Sequence, residues 1–265
     1  MRKYNKIMQL ELKHLYRVPF LETMIAILVF VCLMGVVQAS TRGPQFNLYA
    51  HSEYNSTQTI EMVFEGFQEM TKSGFVLGPT YGMVLIVFLI PMMIAGSISR
   101  GFENDLHKTL LSYPFSRSEV LLSKIAIPII ALALPCLATS ILATSILTPG
   151  YLDLMTITIV SLAFIAVCFA ITSVSTVIAI LSKNSLITSS IGVLTWYAIL
   201  FVYVPPPDVP LLYGILNPMS PSIAFIMNPS GAVQLSEVVL SLMGCLIMAV
   251  LLVLIADQVF RYTEI

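Results

Sequence analysis

Charge is what this chain lacks. Of its 265 residues only 10% are Asp, Glu, Lys or Arg, against about 25% in a water-soluble domain. So little charge cannot cover a surface in water, which excludes a soluble globular domain. It also excludes disorder, which needs charge and few apolar residues. The formal net charge is −1, so no basic field draws nucleic acid. Histidine is nearly absent: His14, His51 and His107 are the whole set, and no two share metal-ligand spacing with a third ligand. Cys32, Cys136, Cys168 and Cys245 stand singly inside apolar runs. They read as small buried hydrophobes, with neither CxxC spacing nor a disulfide framework. There is no phosphate-cradling GxxxxGK[ST] loop, no HExxH and no GxSxG elbow, and Gly78, Gly82 and Gly96 do not form GxGxxG. The chain is therefore not expected to be an enzyme. It has no internal repeat and no low-complexity tract.

What is present is apolar sequence. Hydrophobic residues are 57% of the chain and mean hydropathy is +0.92, which places it in a bilayer. A spanning helix needs about 20 mostly apolar residues. Six segments meet this, at about 20–37, 78–98, 125–147, 154–181, 186–204 and 238–256. The expected fold is an all-α integral membrane protein, one transmembrane domain of six helices over residues 1–265. Residues 2–19 are too long and amphipathic for the start of a signal peptide, and no A-x-A-like site follows Val37. The first run is therefore expected to be a permanent helix.

Lys and Arg fix the orientation. Arg2, Lys3, Lys6, Lys13, Arg17, Arg100, Lys108, Arg117, Lys124, Lys183 and Arg261 fall on one side of such a bundle; only Arg42 and Lys72 fall on the other. Both termini are thus expected in the cytoplasm. The first outer loop, 38–75, is polar, and 59–73 within it has helical spacing, with Glu61, Glu65 and Glu69 on one stripe. The last outer connection, 205–237, is apolar but interrupted by seven prolines. It is expected to form short pieces, re-entrant where other helices shield their backbone. Asn55-Ser56-Thr57 is a glycosylation sequon in form.

Ionisable residues at bilayer depth mark ion paths, and this chain nearly lacks them. Glu22, Glu237 and Asp257 each lie within reach of a headgroup zone. Hydroxyls are the main polar groups of the spans: Thr139, Ser140, Thr144 and Ser145 in the third, and Thr172, Ser173, Ser175 and Thr176 in the fourth. They suit close helix packing or a translocation path. Pro91, Pro128 and Pro135 are candidates to kink spans two and three.

Two inner elements carry functional pattern. Residues 3–17 read as an amphipathic helix, with Tyr4, Met8, Leu12 and Leu15 on one face and Lys3, Lys6, Lys13 and Arg17 nearly opposite. Such a helix lies in the inner headgroup layer, as an elbow before the first span. The connection 99–124 reads SRGFENDLHKTLLSYPFSRSEVLLSK. A short helix from about Phe102 to Ser112 is expected, with Phe102, Leu106 and Leu110 aligned, ended by Pro114. Ser116 or Ser118 then caps the next helix, with Glu119 in its first turn.

This connection resembles the cytoplasmic signature of ABC-2 type transporter permeases, which have an acidic residue, a Thr-Leu-Leu-type run, Ser-x-Pro-x-Ser-Arg, and a Lys opening the next helix. The matching residues are Glu103, Thr109, Leu110, Leu111, Ser112, Pro114, Ser116, Arg117 and Lys124. Asp105 and Leu106 stand where the family often has Gly-Thr. The resemblance implies a membrane subunit that dimerises with a second permease, identical or paralogous, in the plasma membrane. It further implies separate cytoplasmic ATPase subunits, which would hold the ATP and Mg; no cofactor is implied on this chain. The 102–113 helix would then pass ATPase closure to the spans. Phe102, Leu106 and Leu110 would fit an ATPase groove or the flanking spans, while Glu103, Asp105, His107, Lys108 and Arg117 would set docking specificity. Lys6, Lys13 and Arg17 would anchor the elbow. The rival reading is a non-transporting scaffold or sensor that anchors a cytoplasmic partner.

Overall fold

The computed structural model describes residues 20–41, 56–104, 116–148, 150–202, 210–227 and 233–262. Among these, helix is the regular structure throughout, without a strand. The elbow segment 3–17 and positions 105–115, which hold Asp105, Leu106, His107, Lys108 and Leu110, lie outside the described residues.

Helix α1 is Phe20–Thr41, and at 1.5 Å per residue its length is about 33 Å, enough to cross a bilayer core. Helix α2 is Ser56–Ile94. It continues without a break through a π-helical turn, Ala95–Ser99, and a final α turn, Arg100–Glu103. The outer helix expected at 59–73 is thus one piece with the second span. Its apolar part, Phe64–Glu103, has 40 residues, or roughly 60 Å, about twice the hydrocarbon thickness, so α2 projects beyond any bilayer it crosses. Glu65 and Glu69 are exposed on that projection.

Helix α3 is Arg117–Leu147. Of the two expected caps, Ser116 is the one used: its hydroxyl accepts from Glu119 N at 3.2 Å, and the Glu119 carboxylate accepts from Ser116 N at 2.8 Å. This reciprocal capping box opens α3 earlier than the apolar run suggests. Helix α4 is Leu154–Ser182. Helix α5, Ser185–Tyr197, runs into a second π turn, Ala198–Val202. Two short helices follow, α6 (Pro210–Leu216) and α7 (Met219–Met227), before α8, Leu235–Tyr262. The proline-rich connection is therefore divided as expected, with Pro210 opening α6 and Pro218 falling between α6 and α7.

Five described helices are long and apolar enough to cross a membrane, and α5 belongs to a shorter apolar run, Ser185–Leu200. The expected span 186–204 corresponds to α5 and the π turn that follows it; its last two positions, 203 and 204, lie outside the described residues.

Helix α4 is the centre of the bundle, touching α2, α3, α5, α7 and α8, while α1 packs on α2 and α3. Thr172, Ser173, Ser175 and Thr176 of α4 are fully buried. Three of these hydroxyls return to their own helix: Thr172 to Cys168 O, Ser173 to Phe169 O and Thr176 to Thr172 O, at 2.7–2.8 Å. They pack helices together. Lipid is as apolar as leucine, so helix association in a bilayer depends on such close contact. All four cysteines are buried and free.

The start of α4 is held by Asp153. Its carboxylate accepts from Thr156 N at 2.9 Å and from Thr156 Oγ1 at 2.7 Å. Burial pushes this carboxyl up, but the Thr156 hydrogen bonds and the nearby Lys72 charge prevail and hold it below the ordinary carboxylate value. A group depressed in the folded state stabilises above its unfolded value, near pH 4, and that stabilisation fades as pH falls through the folded value. Asp153→Ala is expected to cost about 1 kcal/mol. The thermal midpoint in detergent should drop, and the gap between wild type and Asp153→Ala should shrink when pH is lowered below about 4.

Candidate functional site

Arg100, Arg117, Lys124, Lys183 and Arg261 gather at one end of the bundle, where α2 and α4 finish, α3 and α5 begin, and α8 stops. The two flanks of the connection 104–116 are built into this basic end.

On the first flank, Phe102 and Glu103 close α2 instead of opening a separate helix. Asn104 ends it with a non-helical backbone, its N–H reaching Arg100 O at 3.0 Å. The Glu103 carboxylate then crosses to the start of α5, accepting from Ser185 N at 2.7 Å and Ser185 Oγ at 3.1 Å. Asn184 Oδ1 accepts from the next two amides, Leu186 N and Ile187 N, both at 3.0 Å. Three orphan donors of the α5 N-terminus are thereby met, and the Glu103 charge complements its dipole. The α4–α5 turn that allows this is short because Lys183 adopts the left-handed region, φ 50° and ψ 20°, with its N–H on Ala179 O. Lys183 Nζ in turn sits 5.5 Å from the Phe102 ring centre, a cation–π distance. Phe102 meets Phe260 of α8 edge-on, centroids 6.0 Å apart.

On the second flank, Arg117 donates to Arg261 O at 2.8 Å and Phe260 O at 3.4 Å. It supplies a cation where the C-terminal carbonyls of α8 need donors. Arg261 answers through Ser118 Oγ at 3.1 Å and an ion pair with Asp257 at 2.6 Å. Asp257, read from sequence as an inner-end residue of the last span, is thus half of a local i,i+4 pair.

Between the flanks lies a buried polar layer. Lys124 is only 4% exposed, and its ammonium donates to Ser97 O, inside the π turn of α2, at 2.8 Å. Ser99 and Thr188, both fully buried, share a hydrogen bond of 2.8 Å, and Thr188 lies 3.1 Å from Ser182 Oγ. The ends of α2, α3, α4 and α5 are joined at one level.

Of the residues expected to dock a partner, Phe102, Glu103 and Arg117 are brought to this end and engaged within the chain. Lys183, Ser185, Phe260 and Arg261 complete the arrangement without any motif to announce them. Asn184 before an apolar helix was their one readable signal, as an N-cap.

Residues 33–256 match the family described as ABC-2 family transporter protein. The chain belongs to the ABC-2 transporter family. It is the membrane subunit of an ABC transporter, a multi-pass membrane protein that is not itself catalytic. Permeases of this family partner an ATPase subunit in general. No curated protein matches the chain in sequence.

Proposed function

We propose that this ABC-2 permease works as a dimer, with itself or a paralogue, driven as an exporter by two cytoplasmic ATPase subunits that bind the ATP and Mg. Its basic end faces the cytoplasm of a plasma membrane, with both termini on that side, and the Lys6, Lys13 and Arg17 elbow lies in the inner headgroups. The observation that carries this reading is the anchoring of both flanks of 104–116. Glu103 is tied to α5 through Ser185, and Arg117 to α8 through the Arg261 carbonyl. A push on a connection so anchored reaches two further helices, as a lever requires and a passive tether does not. Asp105, Leu106, His107, Lys108 and Leu110 form the docking stretch, with apolar residues supplying contact and charged ones selecting the partner.

The double variant Leu106→Asp, Leu110→Asp tests this. It should reduce co-purification of the ATPase subunit, or its hydrolysis rate in the complex, at least tenfold, with the permease itself still folded. Unchanged co-purification together with unchanged ATP hydrolysis refutes the reading. So does labelling of a cysteine placed at 108 by a membrane-impermeant reagent added outside sealed cells.

A further inference from the structure

One stretch of α2 departs from regular α-helix and is held by contacts from α3 and α5. Pro91 removes an N–H from the helix ladder. One turn on, the ladder widens into the π turn Ala95–Ser99, where Arg100 N reaches back five residues to Ala95 O. Single π turns inside α-helices mark places where the helix can change its winding. Three contacts from other helices hold this stretch. Gly192 lets α5 close on Pro91, since a Cβ there would lie 2.8 Å from the proline Cβ. Thr188 holds Ser99. Lys124 holds the backbone itself, through Ser97 O. A buried ammonium is costly unless it is engaged. Ser97 O is a main-chain carbonyl within the turn, so this bond fixes the backbone of the turn itself.

We propose that Lys124 is a positioning residue for transport: it clamps the π turn of α2 to α3, so that displacement of 104–116 moves α2, α3 and α5 together. Without the clamp the π turn absorbs the displacement by rewinding, and the motion is lost before it reaches the spans. The same residue lies two turns into α3, on the helix that Arg117 opens, so the clamp and the second flank of 104–116 share one helix. The transport half of this proposal rests on the ATPase-driven reading above; the clamp itself does not.

The test compares wild type with Lys124→Met, which keeps the volume and removes the donor, and Lys124→Arg, which restores one. Amide hydrogen exchange of the full chain in lipid nanodiscs reads the clamp. In Lys124→Met, exchange over residues 95–100 should rise at least tenfold while residues 160–176 of α4 stay protected, and Lys124→Arg should recover most of that protection. ATP hydrolysis by the co-purified permease–ATPase complex reads the coupling, and should change at least threefold in Lys124→Met and return towards wild type in Lys124→Arg. Unchanged exchange at 95–100 overturns the clamp. Raised exchange with unchanged hydrolysis overturns the positioning role. Uniformly raised exchange across α4 also overturns it, since that marks general destabilisation. If Lys124→Met does not fold, Lys124→Gln, which keeps a shorter donor, is read by the same two measurements. Failure of the wild-type chain to co-purify with any ATPase counts against the ATPase-driven reading alone, because the exchange measurement needs no ATPase.

Discussion

Replacing Gly82 by alanine should destabilise the folded chain by about 1–3 kcal/mol, the range for overpacking a well-filled core. A methyl group there would lie 2.6 Å from Cys136 Sγ and 2.7 Å from Cys32 Sγ. Both thiols are fully buried, 2.9 Å apart, one on α1 and one on α3. At such distances the sulfurs, or the helices that carry them, must shift away from α2. One turn earlier, Gly78 is closed off in the same way by Ser140 of α3 and Val36 of α1. Together they form a small-xxx-small face that receives two helices of the same chain. Removing a sulfur should make room: Cys136→Ala combined with Gly82→Ala should recover a large part of the loss, a coupling that a double-mutant cycle isolates. The thermal midpoint of the purified chain in detergent measures each variant. Additive losses in the double variant would show that the three-helix contact does not limit stability.

Phe260→Ala should cost more, about 3–5 kcal/mol, as expected for a deleted buried aromatic whose cavity does not collapse. Phe260 is 1% exposed, lies at the end of α8 and meets Phe102 edge-on. Its own carbonyl and that of Arg261 receive Arg117, so the side chain and the backbone of one turn bind both flanks of 104–116. The Phe102–Phe260 pair should show a coupling of about 0.5–1.5 kcal/mol in a cycle with Phe102→Leu. Denaturation of the reconstituted chain measures both quantities. A Phe260→Ala loss under about 1 kcal/mol would mean that α8 is not bound into this corner.

The spans α1, α3, α4 and α8 were legible because a bilayer imposes one length and one polarity on anything that crosses it. Their ends were less so. The apolar run alone would start α3 near 125, but Ser116 or Ser118 was also readable as its cap with Glu119 in the first turn, and Ser116 is the one used, since a helix starts where its first amides find acceptors. Thr59–Ser73 has readable helical spacing, but nothing in that spacing says that it is continuous with the second span.

By itself the sequence determined that this is a polytopic helical membrane protein, and it brought Glu103, Arg117 and Lys124 to notice through one short motif. Only the tertiary structure decided what those three residues hold: the α5 N-terminus, the α8 C-terminus and the π turn of α2. Each of these holds includes a backbone group. Backbone groups are alike in every residue and carry no signature in sequence, so a side chain that grips one can be identified only when the two segments are seen side by side.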